Sequence, residues 1–294
     1  MINFGLVEMM NLKNDHLLDV LVCPECNADL QFKTATLFCT SCGKRYGLDQ
    51  NAVIFTAPPS DINPSELRER GEGKDTPWRH ANSVFLRNQL RQLSADTLLL
   101  DVGAGRGDFL PFYEHLPHVL LDVYPYPEVD VVCDLTCLNP FHENSLDVIL
   151  LMNVLEHVIS PLDLLRSIYT MLKPHGKVII AIPFYLKIHQ APLDFQRLTH
   201  FALRELAQRA GYSVFQLEGF YDPCGVIEES LRYYRFWGRA GQNWLARKFG
   251  TMTLALMQVN LKLLRTLSVH PFIGDPFKVI YPAPMGYHLV LEKN

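Results

Sequence analysis

Leu98-Leu99-Leu100-Asp101-Val102-Gly103-Ala104-Gly105-Arg106-Gly107 is the stretch whose reading decides the fold. Its aliphatic opening is the short run expected of a parallel strand buried on both faces. It passes directly into a glycine-rich turn, where the chain can bend sharply and a ligand can approach the backbone. The segment from Asp108 to about Leu116, closed by Pro117, predicts a helix that turns its first amides to that ligand. A second run, Val119-Leu120-Leu121-Asp122, ends in a carboxylate placed to hold a ribose diol. Nucleoside binding follows. The spacing Gly-x-Gly-x-Gly is not that of a dinucleotide loop, and Asp101 sets a negative charge beside it, unfavourable for a pyrophosphate and favourable for a cationic cofactor.

Further strands are expected at Val129 to Cys133, Asp147 to Met152 and Lys177 to Ile182. The helix between the last two has Ser160 as cap, Pro161 at its first position, Asp163 in its first turn, and a buried face of Leu162, Leu165, Ile168, Met171 and Leu172. Another helix runs from Thr199 as cap to Gly211 as terminator, and Val84, Leu86, Leu90 and Leu93 mark a helix over Ala81 to Leu93. Strand and helix alternate, which predicts an α/β fold with a doubly wound parallel sheet and a ligand beyond the C-terminal strand ends.

Upstream, Cys23-Pro-Glu-Cys26 and Cys39-Thr-Ser-Cys42 flank strand-like segments around Leu30-Gln31-Phe32 and Thr36-Leu37-Phe38. Two knuckles on a hairpin gather four thiolates, a set that suits structural zinc with every position filled. Two reduced structural pairs or a redox dithiol are the other readings. From Thr56 to about Gly73, prolines, glycines and charges mark a linker. The expected organisation is a zinc-ribbon module over 1–55, a linker over 56–77 and an α/β domain over 78–294. The formal charge of −4 supplies no global basic field, and no run long and apolar enough to span a membrane appears, so a cytoplasmic location is expected.

Together, Asp101-Val-Gly-Ala-Gly-Arg-Gly107, Asp122, Cys133-Asp134-Leu135, Asp147-Val-Ile-Leu-Leu-Met-Asn-Val-Leu-Glu-His157 and Leu172-Lys-Pro-His-Gly-Lys-Val-Ile-Ile-Ala-Ile-Pro183 resemble the class I S-adenosylmethionine-dependent methyltransferases, particularly the ubiquinone-biosynthesis group. The resemblance implies a Rossmann-like sheet and S-adenosylmethionine as cofactor. Asp101, Gly103, Ala104 and Gly105 would lie by its methionine part, Asp122 at the ribose, Asp134 and Leu135 beside adenine, and Asn153 on the floor. His175 stands where the family has glycine. Residues 16–55 resemble the small zinc-ribbon proteins that activate methyltransferases, which implies zinc on Cys23, Cys26, Cys39 and Cys42.

In such a fold the last two strands pair antiparallel, here Ser213 to Gly219 with Gly286 to Glu292. Residues 220–284 between them are expected to form a helical cap, aromatic and basic from Tyr233 to Arg239 and helical from Thr251 to Leu267. A lipid-headgroup surface over 230–268, or a stacked base, is the alternative for that mixture. Catalytic candidates are His157, Asp194, Arg197 and His200, with His189 a further possible base. Glu156 and His157 also fit a structural or cofactor-side role, and Thr199 a cap alone. The leading expectation is methyl transfer to a small-molecule or lipid-linked sugar or quinone acceptor. An rRNA or tRNA base methyltransferase, a non-catalytic S-adenosylmethionine-binding partner and a nicotinamide oxidoreductase are the competing ones.

Overall fold

The computed structural model describes residues 14, 16–33, 36–49, 52–59, 76–220, 226–227, 230–231, 244–267 and 284–294. The Tyr233 to Arg239 run, residues 60–75 of the linker and most of the expected cap lie outside these.

The ribbon opens with a short helix, α1 (Leu17–Val20), followed by a three-stranded antiparallel sheet of β1 (Leu30–Lys33), β2 (Thr36–Cys39) and β3 (Arg45–Tyr46). Leu30 faces Cys39 and Lys33 faces Thr36, so the expected hairpin is present. The next strands leave the ribbon: β4 (Leu48–Asp49) pairs with β5 (Ala52–Ile54), and β5 joins the large sheet.

That sheet is completed by β6 (Leu99–Val102), β7 (His118–Asp122), β8 (Val131–Val132), β9 (Leu146–Met152), β10 (Leu172–Pro183), β11 (Tyr212–Phe220) and β12 (Gly286–Lys293). Across it the order is β4-β5-β8-β7-β6-β9-β10-β12-β11. From β5 to β10 every neighbour is parallel; β12 runs antiparallel to both β10 and β11, as expected for the last pair. The chain leaves β6 toward β7 on one side and returns to β9 on the other, so the switch point lies at the C-terminal end of β6.

Alternation along the strands divides the core. Ile149, Leu151, Val178 and Ile180 pack on one face with α3 (Pro161–Met171) and α4 (His200–Ala210). Val148, Leu150, Met152, Ile179 and Ala181 pack on the other with Phe85, Leu86 and Leu90 of α2 (Pro77–Leu90). Parallel strands covered on both faces account for the unbroken aliphatic runs. Leu17, Val20, Leu21, Leu37, Tyr46 and Val53 of the ribbon share the first core with Val131, Cys133, Leu135 and Phe141, so the two parts are packed as one.

Three expectations are corrected. No α-helix follows the glycine turn: only a 3-10 turn, Leu110–Phe112, forms there, because Pro111 cannot donate an amide and Gly107 lies at φ 71°. Ser160 makes no cap; its hydroxyl instead donates to the Asp163 carboxylate. The first helix starts earlier than expected, at Pro77, where Thr76 accepts the Arg79 amide at 3.2 Å, and Val84 lies on its exposed side. Thr199 caps α4 as expected, accepting from the Ala202 amide at 3.3 Å, and Gly211 ends it at φ 98°. His175 occupies φ 64°, a conformation that suits the glycine it replaces. A further helix, α5 (Trp244–Leu267), contains the expected Thr251 to Leu267 segment. Among the described residues no helix is long and apolar enough to cross a membrane.

Candidate active site

A cleft of about 170 Å3 opens at the C-terminal ends of β6, β7, β8 and β9. The strand ends deliver Val102, Gly103, Asp122, Cys133 and Asn153 to it, and the loops that follow add Asp134, Leu135, Val154, His157 and Leu193. Gly103 has φ 73°, and a Cβ there would stand 2.7 Å from Val154 Cγ2, so the turn is closed to any side chain. Asp122 folds the turn back on itself: its two oxygens accept the Gly105 amide at 2.9 Å and the Tyr124 amide at 3.0 Å. Gly103, Asp122, Asp134, Leu135 and Asn153, all expected around the cofactor, therefore meet at one opening.

The other expected residues fall elsewhere. Asp101 is buried behind the turn, accepting a hydrogen bond from the Tyr113 hydroxyl. Ala104 and Gly105 are not among the lining residues; Gly105 contributes its amide to Asp122. Asp134 lines the cleft and also forms a local turn, its Oδ1 accepting the Thr136 amide and hydroxyl at 2.9 and 2.6 Å.

Asn153, at φ 61°, is fixed by a relay absent from the sequence-based reading. Asn82 of α2 donates to Asn153 Oδ1 at 3.4 Å and accepts from His288 Nε2 at 2.9 Å. His288 is sandwiched between Phe85 and Phe220, with each ring centroid 4.2 Å away. Burial pulls its pKa down to about 3, which keeps the ring neutral with a single proton for Asn82. The hints in sequence were separate: a polar residue inside an apolar helix face and a histidine in an apolar strand.

Beside the cleft, the turn Leu155–His157 and the loop before α4 are laced together. The Phe195 amide donates to Glu156 O at 2.9 Å, and Gln196 donates to Leu155 O at 3.1 Å. Asp194 and Arg197 face each other instead of the cleft: the guanidinium donates through both terminal nitrogens to the two Asp194 oxygens. Burial would raise the Asp194 pKa, but the Arg197 hydrogen bonds and the His189 amide outweigh it and hold it at about 2. His200 lies at the first turn of α4 against Phe201 and Tyr287, away from the lining residues. Burial, with Arg204 nearby, lowers its pKa.

In the ribbon, Cys23 Sγ lies 3.6 Å from Cys42 Sγ and Cys26 Sγ 3.4 Å from Cys39 Sγ, too far apart for disulfides and all within one small volume. The Ser41 and Cys42 amides both point at Cys39 Sγ at 3.4 Å. The Cys42 amide leads in pulling the Cys39 thiol down to about 6, against the effect of burial. Amides turned toward a sulfur stabilise thiolate, the form that ligates a metal.

Residues 78–217 match the family model described as a methyltransferase domain. No curated protein matches the chain. Similar solved structures include an S-adenosylmethionine-dependent methyltransferase from Archaeoglobus fulgidus, 16% identical over 73% of this chain and 94% of that one, with a TM-score of 0.44. Another is a putative sarcosine dimethylglycine methyltransferase from Galdieria sulphuraria, 13% identical over 74% and 86%, with a TM-score of 0.48. A third is the complex of the Haloferax volcanii Trm112 methyltransferase activator with a putative methyltransferase, 18% identical over 48% and 75%, with a TM-score of 0.37.

Proposed function

We propose that the chain, whose residues 78–217 match a methyltransferase domain, is an S-adenosylmethionine-dependent methyltransferase that methylates a small-molecule or lipid- or sugar-type acceptor. The observation that carries the reading is the convergence of Gly103, Asp122, Asp134 and Asn153 on one cleft at the switch point of the sheet. Asp122 and Asp134 supply carboxylate oxygens for ribose hydroxyls and the adenine edge. Leu135, Val154 and Leu164 give an apolar wall for the base, and Asn153 a fixed amide beneath. The cofactor brings the activated methyl group on its sulfonium, so the chain's own task is positioning and exclusion of water.

A lipid-type acceptor is supported by α5, which has no acidic residue, carries Arg247, Lys248, Lys262 and Arg265, and exposes Met252, Leu256, Met257, Val259 and Leu263. A basic helix with exposed apolar residues suits a peripheral membrane surface. The four-thiol cluster fits zinc: sulfurs tetrahedral about an ion at about 2.3 Å stand about 3.8 Å apart, close to the spacing found here. Filled by four sulfurs, that ion would be structural.

Calorimetry with S-adenosylhomocysteine tests the reading. One site per chain is expected, weakened at least tenfold in Asp122→Asn, which keeps the shape of the side chain but not its charge. Absence of binding to the wild-type protein overturns it.

A further inference from the structure

Glu156 is 0% exposed, and neither carboxylate oxygen has a hydrogen-bond partner. A buried carboxylate left in that condition is costly unless something cationic answers it. Two imidazoles face it. His157 Nε2 and His189 Nε2 each lie 3.7 Å from Glu156 Oε1, beyond hydrogen-bond length. The rings are T-shaped to each other with centroids 4.9 Å apart, and one donor atom from each of Glu156, His157 and His189 lies within 4.8 Å of the other two.

Each imidazole is already oriented through its other nitrogen. His157 Nδ1 is 2.8 Å from Leu193 O, and His189 Nδ1 is 3.2 Å from Asp194 Oδ2. Spending the Nδ1 proton on an oxygen leaves a neutral ring with a lone pair on Nε2, the arrangement that prepares histidine to bind a metal. Asp194 is in turn held by Arg197 through both guanidinium nitrogens, which gives that pair a purpose away from the cleft.

We propose that Glu156, His157 and His189 bind one divalent transition-metal ion at the edge of the cleft. An ion about 2.0 to 2.2 Å from each donor sets them about 2.9 to 3.4 Å apart, so the 3.7 Å gaps need close only by a few tenths of an ångström or slightly more. Two imidazoles and one carboxylate suit manganese, iron, cobalt or zinc, whereas magnesium and calcium favour oxygen alone. Three protein donors leave coordination positions open, and His157 and Leu193 line the cleft, so an acceptor there can supply the remaining ligand.

Resting on the methyl-transfer reading above, the acceptor class follows: a molecule whose reacting hydroxyl oxygen ligates the ion. The ion lowers the hydroxyl pKa and the proton passes to solvent. The oxygen–methyl bond forms as the methyl–sulfur bond breaks, and S-adenosylhomocysteine leaves with the electron pair.

The test uses the full chain treated with a chelating resin and titrated with Mn2+, which thiolates hold poorly, with free Mn2+ followed by its paramagnetic resonance. One ion per chain is expected, with affinity lowered at least tenfold in His189→Ala and in Glu156→Gln. Thermal unfolding of both variants confirms that they fold. No bound Mn2+, or the same affinity in both folded variants, overturns the proposal. S-adenosylhomocysteine binding is measured on the same samples: its loss in the wild type with Mn2+ still bound refutes the methyltransferase reading and leaves the metal site standing. Retention of the nucleoside product without Mn2+ binding does the reverse.

Discussion

Asp194 and His288 control acid stability over different pH ranges. The Asp194 pKa is depressed to about 2, so its contribution is complete above the unfolded value near 4 and is lost as pH falls toward 2. It amounts to about 2 kcal/mol. His288 is held neutral with a pKa of about 3; the unfolded chain takes up a proton there below about 6.5, so this stability is present above that pH and drains away as pH falls to 3. Urea unfolding from pH 2 to 7 is expected to lose its slope between 6.5 and 4 in His288→Gln, and between 4 and 2 in Asp194→Asn. A wild-type slope in either variant refutes the corresponding assignment.

At the scale of elements, the turn after β6 tolerates no side chain. Gly103→Ala places a Cβ 2.7 Å from Val154 Cγ2 at φ 73°, and a tenfold or greater loss of S-adenosylhomocysteine affinity is expected with the fold retained. Adding Val154→Ala relieves the clash but not the dihedral strain, so calorimetry should recover only part of the loss. Strands were legible because burial on both faces demands aliphatic runs such as Leu146 to Met152, and α4 because Thr199 and Gly211 mark its ends locally. The segment after Gly107 misled because the expected helix rested on position in the fold, whereas Leu110-Pro111 decides locally for a 3-10 turn. In the site, Asp122 was marked by its place at a strand end and Asn153 by the family resemblance, and both line the cleft. Partnerships across distant segments, Asn82 with His288 or Glu156 with His189, leave no local pattern and emerge only when the chain is folded.

For the whole molecule, the ribbon and the methyltransferase domain share a sheet and a core. The Val53 amide donates to Asp130 O at 2.9 Å, the Val22 amide to Pro140 O at 2.8 Å, and the His142 amide to Val20 O at 2.8 Å. Cys23→Ser combined with Cys26→Ser is expected to lower the unfolding temperature of the entire chain by several degrees in one transition, because destabilising α1 and β5 strips the edge of β8. Two separate calorimetric transitions, with the second unmoved, would show instead that the parts are energetically independent.

Strand β8 has two residues, and its outer neighbour β5 comes from a much earlier part of the sequence. Synthesis from the N-terminus therefore releases Ala52–Ile54 long before Val131 and Val132 emerge to meet them. This sheet edge closes late, through one of the longer loops in the molecule, and loop closure of that kind slows folding. A ribbon that gathers early from local contacts carries its docking strand ready-made to the ribosome's later product, so the segment made earlier is the one that seals the edge.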